Sequence, residues 1–200
     1  MTNRVRAARG IARRWLRGYV LAAFATLLVG VVIGYALGTQ VPAGWLQQGT
    51  GSSAFVPDRI TFWTLLSNNL LAITFISLGA ASAGALTAFA LLLNGVLIGA
   101  VVQIALRETD LLTVVALIAP HGIVEIPALL IVSAIGYRFG HRTIRYVRGL
   151  EEVLFTRRDL KEAGVLYAVA ALMIVVAAWI EAEVTLAVAE RVADGAAVEA

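Results

Sequence analysis

Seven polar side chains stand inside long apolar stretches of this sequence: Asn68 and Asn69, Asn94, His121 and Glu125, and Glu181 with Glu183. Polar groups are costly in hydrocarbon and are seldom kept there without a role. His121 and Glu125 are four residues apart, so a helix carries both on one face. An imidazole and a carboxylate placed this way suit three kinds of chemistry. They can tie helices together, with the Asn amides, as interhelical hydrogen-bonding groups. They can pass a proton or hold an ion at mid-membrane. They can also supply two of the three or four ligands that zinc takes, although no His-Glu-x-x-His pattern is present. The structural tie is the first expectation and a proton or substrate site at His121–Glu125 the second; no metal or other cofactor is expected. The chain has no Cys, which removes disulfides, thiolate metal sites and thiol nucleophiles. No nucleophile or complete metal shell can be assembled from the remaining residues, so no catalytic residue and no enzymatic activity are expected.

The elements that must position these groups follow from composition. The 200 residues are 60% hydrophobic and 14% charged, with a mean hydropathy of +0.86, whereas soluble domains carry about 25% charged residues. Ile60 to Leu106 is a run of 47 residues without Lys, Arg, Asp or Glu. As one helix it would be roughly 70 Å long against a hydrocarbon core of about 30 Å, so it folds back within the membrane. Gly79-Ala80-Ala81-Ser82-Ala83-Gly84 is the expected reversal. The resulting expectation is an all-α, polytopic transmembrane bundle forming a single domain over residues 1–200. Its spans are 19–38, 60–83, 84–106, 111–137 and 163–189, the fourth interrupted by Pro120 and Pro127.

Orientation comes from the basic residues. Six Arg precede the first span (Arg4, Arg6, Arg9, Arg13, Arg14, Arg17). Seven more Lys or Arg lie in the segment 138–162, placing 13 of 16 on one side. The positive-inside rule makes that side cytoplasmic and the N-terminus internal, as expected of a multi-pass cell-membrane protein. Tyr19, Tyr137 and Tyr167 then fall at inner ends and Trp63 at an outer end. Because the basic residues flank apolar spans, the net charge of +3 points to lipid rather than nucleic acid. Ile144, Val147, Leu150 and Leu154 mark one face of a helix and Arg142, Arg145 and Arg148 another. Such a segment can meet anionic lipid headgroups or a cytoplasmic partner, or its charges can simply fix topology.

Small residues recur at helix-packing spacing, Gly30/Gly34/Gly38 in the first span and Gly95/Gly99 in the third. Such faces let backbones approach closely, within one chain or in a homodimer. Counted from the outer ends at 1.5 Å per residue, Asn68 and Glu181 lie about 12 Å deep, His121 about 15 Å, Asn94 about 18 Å and Glu125 about 21 Å. That depth match predicts one buried cluster of Asn68, Asn69, Asn94, His121, Glu125 and Glu181.

Taken in order, Asn68-Asn69, then Asn94-Gly95-Val96-Leu97-Ile98-Gly99, then Pro120-His121-Gly122-Ile123-Val124-Glu125-Ile126-Pro127-Ala128, then Ile180-Glu181-Ala182 with Val184-Thr185, the chain resembles the stage II sporulation protein M family of integral membrane proteins. The Pro-His-Gly-x-x-Glu-x-Pro-Ala block is the specific part, and the resemblance covers roughly Phe62 to Thr185. It implies a multi-pass protein with no established catalytic activity. In spore formers the family member is a membrane scaffold for peptidoglycan-degrading partners during engulfment. Relatives also occur in bacteria and archaea that make no spores. A non-enzymatic scaffold or assembly partner is the function expected, with a small transporter or channel as the alternative.

Overall fold

The computed structural model describes residues 10–11, 13–16, 18–41 and 61–185. Four of the six N-terminal arginines, most of the outer segment after the first span, and residues 186–189 of the expected fifth span lie outside these. Among the described residues the fold is wholly helical: α1 (Tyr19–Gly38), α2 (Phe62–Ser77), a 3₁₀ turn (Leu78–Ser82), α3 (Ala85–Glu108), α4 (Leu111–Val147), α5 (Arg157–Ile180) and a π-helical turn (Glu181–Thr185). Five helices are long and apolar enough to cross a membrane.

Helix starts are set by local chemistry. Thr61 and Thr64 form a capping box at α2, and Thr156 and Asp159 form one at α5, each satisfying backbone N–H groups that a first turn leaves open. The Asp110 carboxylate accepts from the Thr113 N–H at 2.9 Å to begin α4. The box at Thr156 starts α5 at Arg157, six residues before the apolar run at Ala163. The reversal between α2 and α3 occurs where the small residues predict it. Ala83 (φ 53°) and Gly84 (φ 93°) are both left-handed, a conformation that costs little only at glycine.

Two expectations are corrected. Pro120 and Pro127 do not interrupt the fourth span; α4 is one helix of 37 residues. Each proline removes only its own bond, to the carbonyl of Ala116 or Ile123, and the turns on either side stay hydrogen-bonded within a packed bundle. The amphipathic face expected across the basic segment is also split. Ile144 and Val147 belong to α4, whereas the chain turns at Gly149 (φ 70°) and places Leu150 and Leu154 between helices.

Helix α4 is the centre of the bundle and touches all four other helices, while α1 packs chiefly on α3. The α1–α3 contact is a parallel glycine seam. A Cβ on Gly30 would lie 3.0 Å from Gly95 Cα, and one on Gly99 would lie 2.7 Å from the Tyr35 nitrogen. Gly34 meets the Val96 backbone and Gly38 meets Ala100 in the same way. The glycine face of α1 is thus covered by α3 of the same chain, and backbones there touch without side chains between them. A second close approach, absent from the sequence reading, joins the reversal to α4. Gly79 and Gly84 back onto Gly136 and Gly140, and the buried Thr87 hydroxyl donates to the Ile76 carbonyl at 2.7 Å. Between these seams lies an aliphatic core that includes Leu27, Ile73, Leu91, Leu129, Val132 and Ile174.

Candidate functional site

The polar side chains of four spans line one cavity of about 360 Å³. Asn68 and Asn69 come from α2, Asn94 from α3, His121 and Glu125 from α4, and Glu181 from the π-helical turn. Leu65, Leu97, Ile98, Val101 and Ile118 complete the wall. Asn69, Asn94, His121, Glu125 and Glu181 are half-buried, and Asn68 is more exposed. Glu183 is exposed and lies outside the lining.

Local geometry explains how each group arrives. His121 and Glu125 sit one turn apart on α4, whose axis passes through the middle of the bundle. Asn94 lies one residue before Gly95, so the α1–α3 seam fixes the rotation of α3 that turns Asn94 to the cavity. Its side-chain N–H donates to the Ala90 carbonyl at 2.8 Å. Glu181 opens a π-helical turn, a local widening of the helix that occurs often at functional sites. As a result, one ligand-capable atom from each of His121, Glu125 and Glu181 lies within 4.8 Å of the others. Gly30, Gly34, Gly38, Gly95 and Gly99 form the seam beside the cavity and do not line it.

The opposite, basic end is arranged differently. The Trp15 indole N–H donates to Glu162 Oε2 at 2.7 Å, and Arg158 donates to the other oxygen at 2.9 Å. Arg14 also pairs with Glu162. Arg138 lies 4.4 Å above the Trp15 ring and pairs with Asp159 at 3.4 Å, while Arg142 bonds both Asp159 and Glu151. The hydrogen bond from Arg145, helped by the charge and hydrogen bond of Arg142, holds the Glu151 carboxyl below its ordinary range against the opposing effect of desolvation. Much of the basic segment is therefore knit into ion pairs. Neither Glu162 nor Trp15 was singled out from the sequence. The Thr156-x-x-Asp159 capping pattern is the signal that could have found the network's acidic side. A second cavity, of about 380 Å³, lies here between Tyr19, Arg138, His141, Arg142, Arg145 and Glu151.

The three inner-end tyrosines also bridge helices. Tyr137 Oη is 2.8 Å from Thr26 Oγ1, Tyr167 Oη 2.7 Å from Thr74 Oγ1, and Tyr19 Oη 2.8 Å from His141 Nδ1.

Comparison with known proteins agrees with the family resemblance. The chain is 33% identical over 135 residues to an uncharacterized protein of Methanocaldococcus jannaschii, covering 66% of this chain and 76% of that one. No solved structure matches it. The sequence profile of stage II sporulation protein M matches residues 20–186, a range that begins at the second residue of α1 and holds every group lining the Asn–His–Glu cavity. The chain belongs to the stage II sporulation protein M family.

Proposed function

We propose that this protein is a non-enzymatic scaffold or assembly partner of the cell membrane, whose Asn, His and Glu groups hold its helices in register. The carrying observation is that four helices each contribute a polar side chain to one shared cavity. Polar groups distributed in this way can link helices by hydrogen bonds across the cavity. The glycine seams add rigidity, and a rigid bundle suits a platform on which another protein assembles.

Gentle extraction from native membranes, with mass spectrometry of what co-purifies, tests this reading. A stoichiometric second protein is expected, and its capture should fall in His121→Ala and Glu125→Gln together with thermal stability. A homo-oligomer without a partner would count against it.

The cavity volume itself favours a second reading, a small transporter or channel in which His121 and Glu125 carry a proton or bind the substrate. Under that reading the same two variants fold normally but lose a pH-dependent flux in reconstituted vesicles.

A further inference from the structure

The arrangement of His121, Glu125 and Glu181 carries more than a helix tie. Two carboxylates and one imidazole face one another across a site walled by aliphatic side chains and neutral amides. Among the described residues no Lys or Arg lines the cavity. Two carboxylates brought together in such surroundings are costly while both are ionised, and the cost is relieved by protonation or by a compensating positive charge between them. A dication does this without remainder, since two carboxylates and a neutral imidazole around a 2+ charge leave a net charge of zero.

We propose that His121, Glu125 and Glu181 form a binding site for one divalent first-row transition-metal ion, which clips α4 to the outer end of α5. The geometry suits such an ion. Metal–ligand bonds of about 2.0–2.2 Å put neighbouring donors of a tetrahedral site about 3.4 Å apart. The three donor atoms already lie within 4.8 Å of one another, so a closure on the order of 1 Å by side-chain rotation completes the contact. The imidazole donor selects a borderline ion such as Zn²⁺ over Mg²⁺ or Ca²⁺, which take oxygen ligands. The Asn68, Asn69 and Asn94 amides line the same cavity, where an amide oxygen or a bound water supplies the remaining coordination. The π-helical turn at Glu181 brings the third ligand to α4 from a different helix, so the ion acts as a cross-link rather than as a ligand of one helix.

This inference deepens the reading of the cavity as the tie of the bundle. Metal content and partner capture are separate readouts, so either idea can fail without the other. The test is on the full chain, purified in detergent, stripped with chelator, and titrated with Zn²⁺ or Co²⁺ chloride. The expected results are about one tightly held Zn²⁺ per chain by elemental analysis and visible d–d absorption with Co²⁺. A chelator-reversible rise in Tm should accompany binding.

His121→Ala and Glu181→Gln should weaken binding by more than the roughly 10–100-fold that follows loss of a supporting partner. The chain has two His residues, and removing the other with His141→Ala should leave binding unchanged. No bound metal at micromolar free Zn²⁺ would overturn the proposal. Equal binding by folded His121→Ala and Glu181→Gln would do so as well. Should both variants fail to fold, the Co²⁺ spectrum of the unaltered protein decides. Bands of a nitrogen- and oxygen-coordinated ion that persist in His141→Ala support the site, and a spectrum of hexaaqua Co²⁺ overturns it.

Discussion

The two ends of this bundle handle charge in opposite ways. At the basic end, each carboxylate of Glu151, Asp159 and Glu162 is in direct contact with arginine, and Glu162 also takes the Trp15 indole N–H. In the outer half, two carboxylates and a histidine converge on a cavity whose other lining groups, among the described residues, are neutral amides and aliphatic side chains. Charges near the headgroups can be paired by long, flexible arginines, whose stems pack on apolar surface while their heads reach partners. Inside the hydrocarbon every ionisable group is costly and such groups gather with one another, as Glu125, Glu181 and His121 do here. The difference separates a region whose acidic groups are matched one by one with arginine from a region whose acidic groups share a cavity with a single histidine.

The largest effect should come from the seam that sets both regions in place. Gly34→Val or Gly99→Val drives a side chain into the facing backbone and should cost about 3 kcal/mol or more. Aggregation on extraction, or a collapse in Tm, would show this. Wild-type stability in either variant would mean that α1 and α3 do not pack as described.

Next is the hub of the basic end. Glu162→Ala leaves Trp15 Nε1, Arg14 and Arg158 without their shared acceptor. The Glu162 side chain is only 11% exposed, but Arg158 is 71% exposed. Solvent screening therefore trims the loss to about 2 kcal/mol. Thermal unfolding in one detergent provides the measurement, and a change below a few tenths of a kcal/mol would remove Glu162 from the framework.

The cavity should respond more weakly in the absence of any bound ion. His121→Ala or Glu125→Gln in chelator-treated protein should cost about 1 kcal/mol, as interhelical polar contacts in membranes do. A loss larger than that of Glu162→Ala would reverse the comparison. Thr87→Val, which removes one buried hydroxyl bond to the Ile76 carbonyl, should likewise cost about 1 kcal/mol.

The smallest effect is the pH dependence of the basic end. The Glu151 carboxyl is lowered in the fold, so its contribution is present above the ordinary carboxylate value of 4.5. That contribution is lost as pH falls through the lower value of the folded state. The Tm difference between wild type and Glu151→Gln should therefore be present at pH 7 and vanish in strong acid. A difference that grows on acidification would contradict the ion pairing.

Much of this is legible in the sequence because the membrane restricts what a chain can do. The uncharged run from Ile60 to Leu106 has to reverse, and the Gly-Ala-Ala-Ser-Ala-Gly stretch offers the left-handed backbone that a tight reversal needs. Tyr19–Gly38 is the first helix as read directly from hydropathy. What escaped the sequence concerned relations between distant segments. Glu162 and Trp15 are 147 positions apart, and no local pattern joins them. Gly136 and Gly140 are ordinary glycines of a long helix until the 78–84 reversal is placed against them. The prolines misled because the rule for isolated helices overstates their effect where neighbouring helices hold the turns.

Polar groups of separate helices share one cavity within a single chain. Paired cysteine cross-linking in native membranes tests it most directly, since the native chain contributes no cysteine background. Three double variants suffice: Asn94→Cys with His121→Cys, His121→Cys with Glu181→Cys, and Asn94→Cys with Glu181→Cys. Rapid cross-links within the monomer are expected for the His121 and Glu181 pair and at least one Asn94 pair. Cross-links that form only between two chains, or none in any pair, would contradict it.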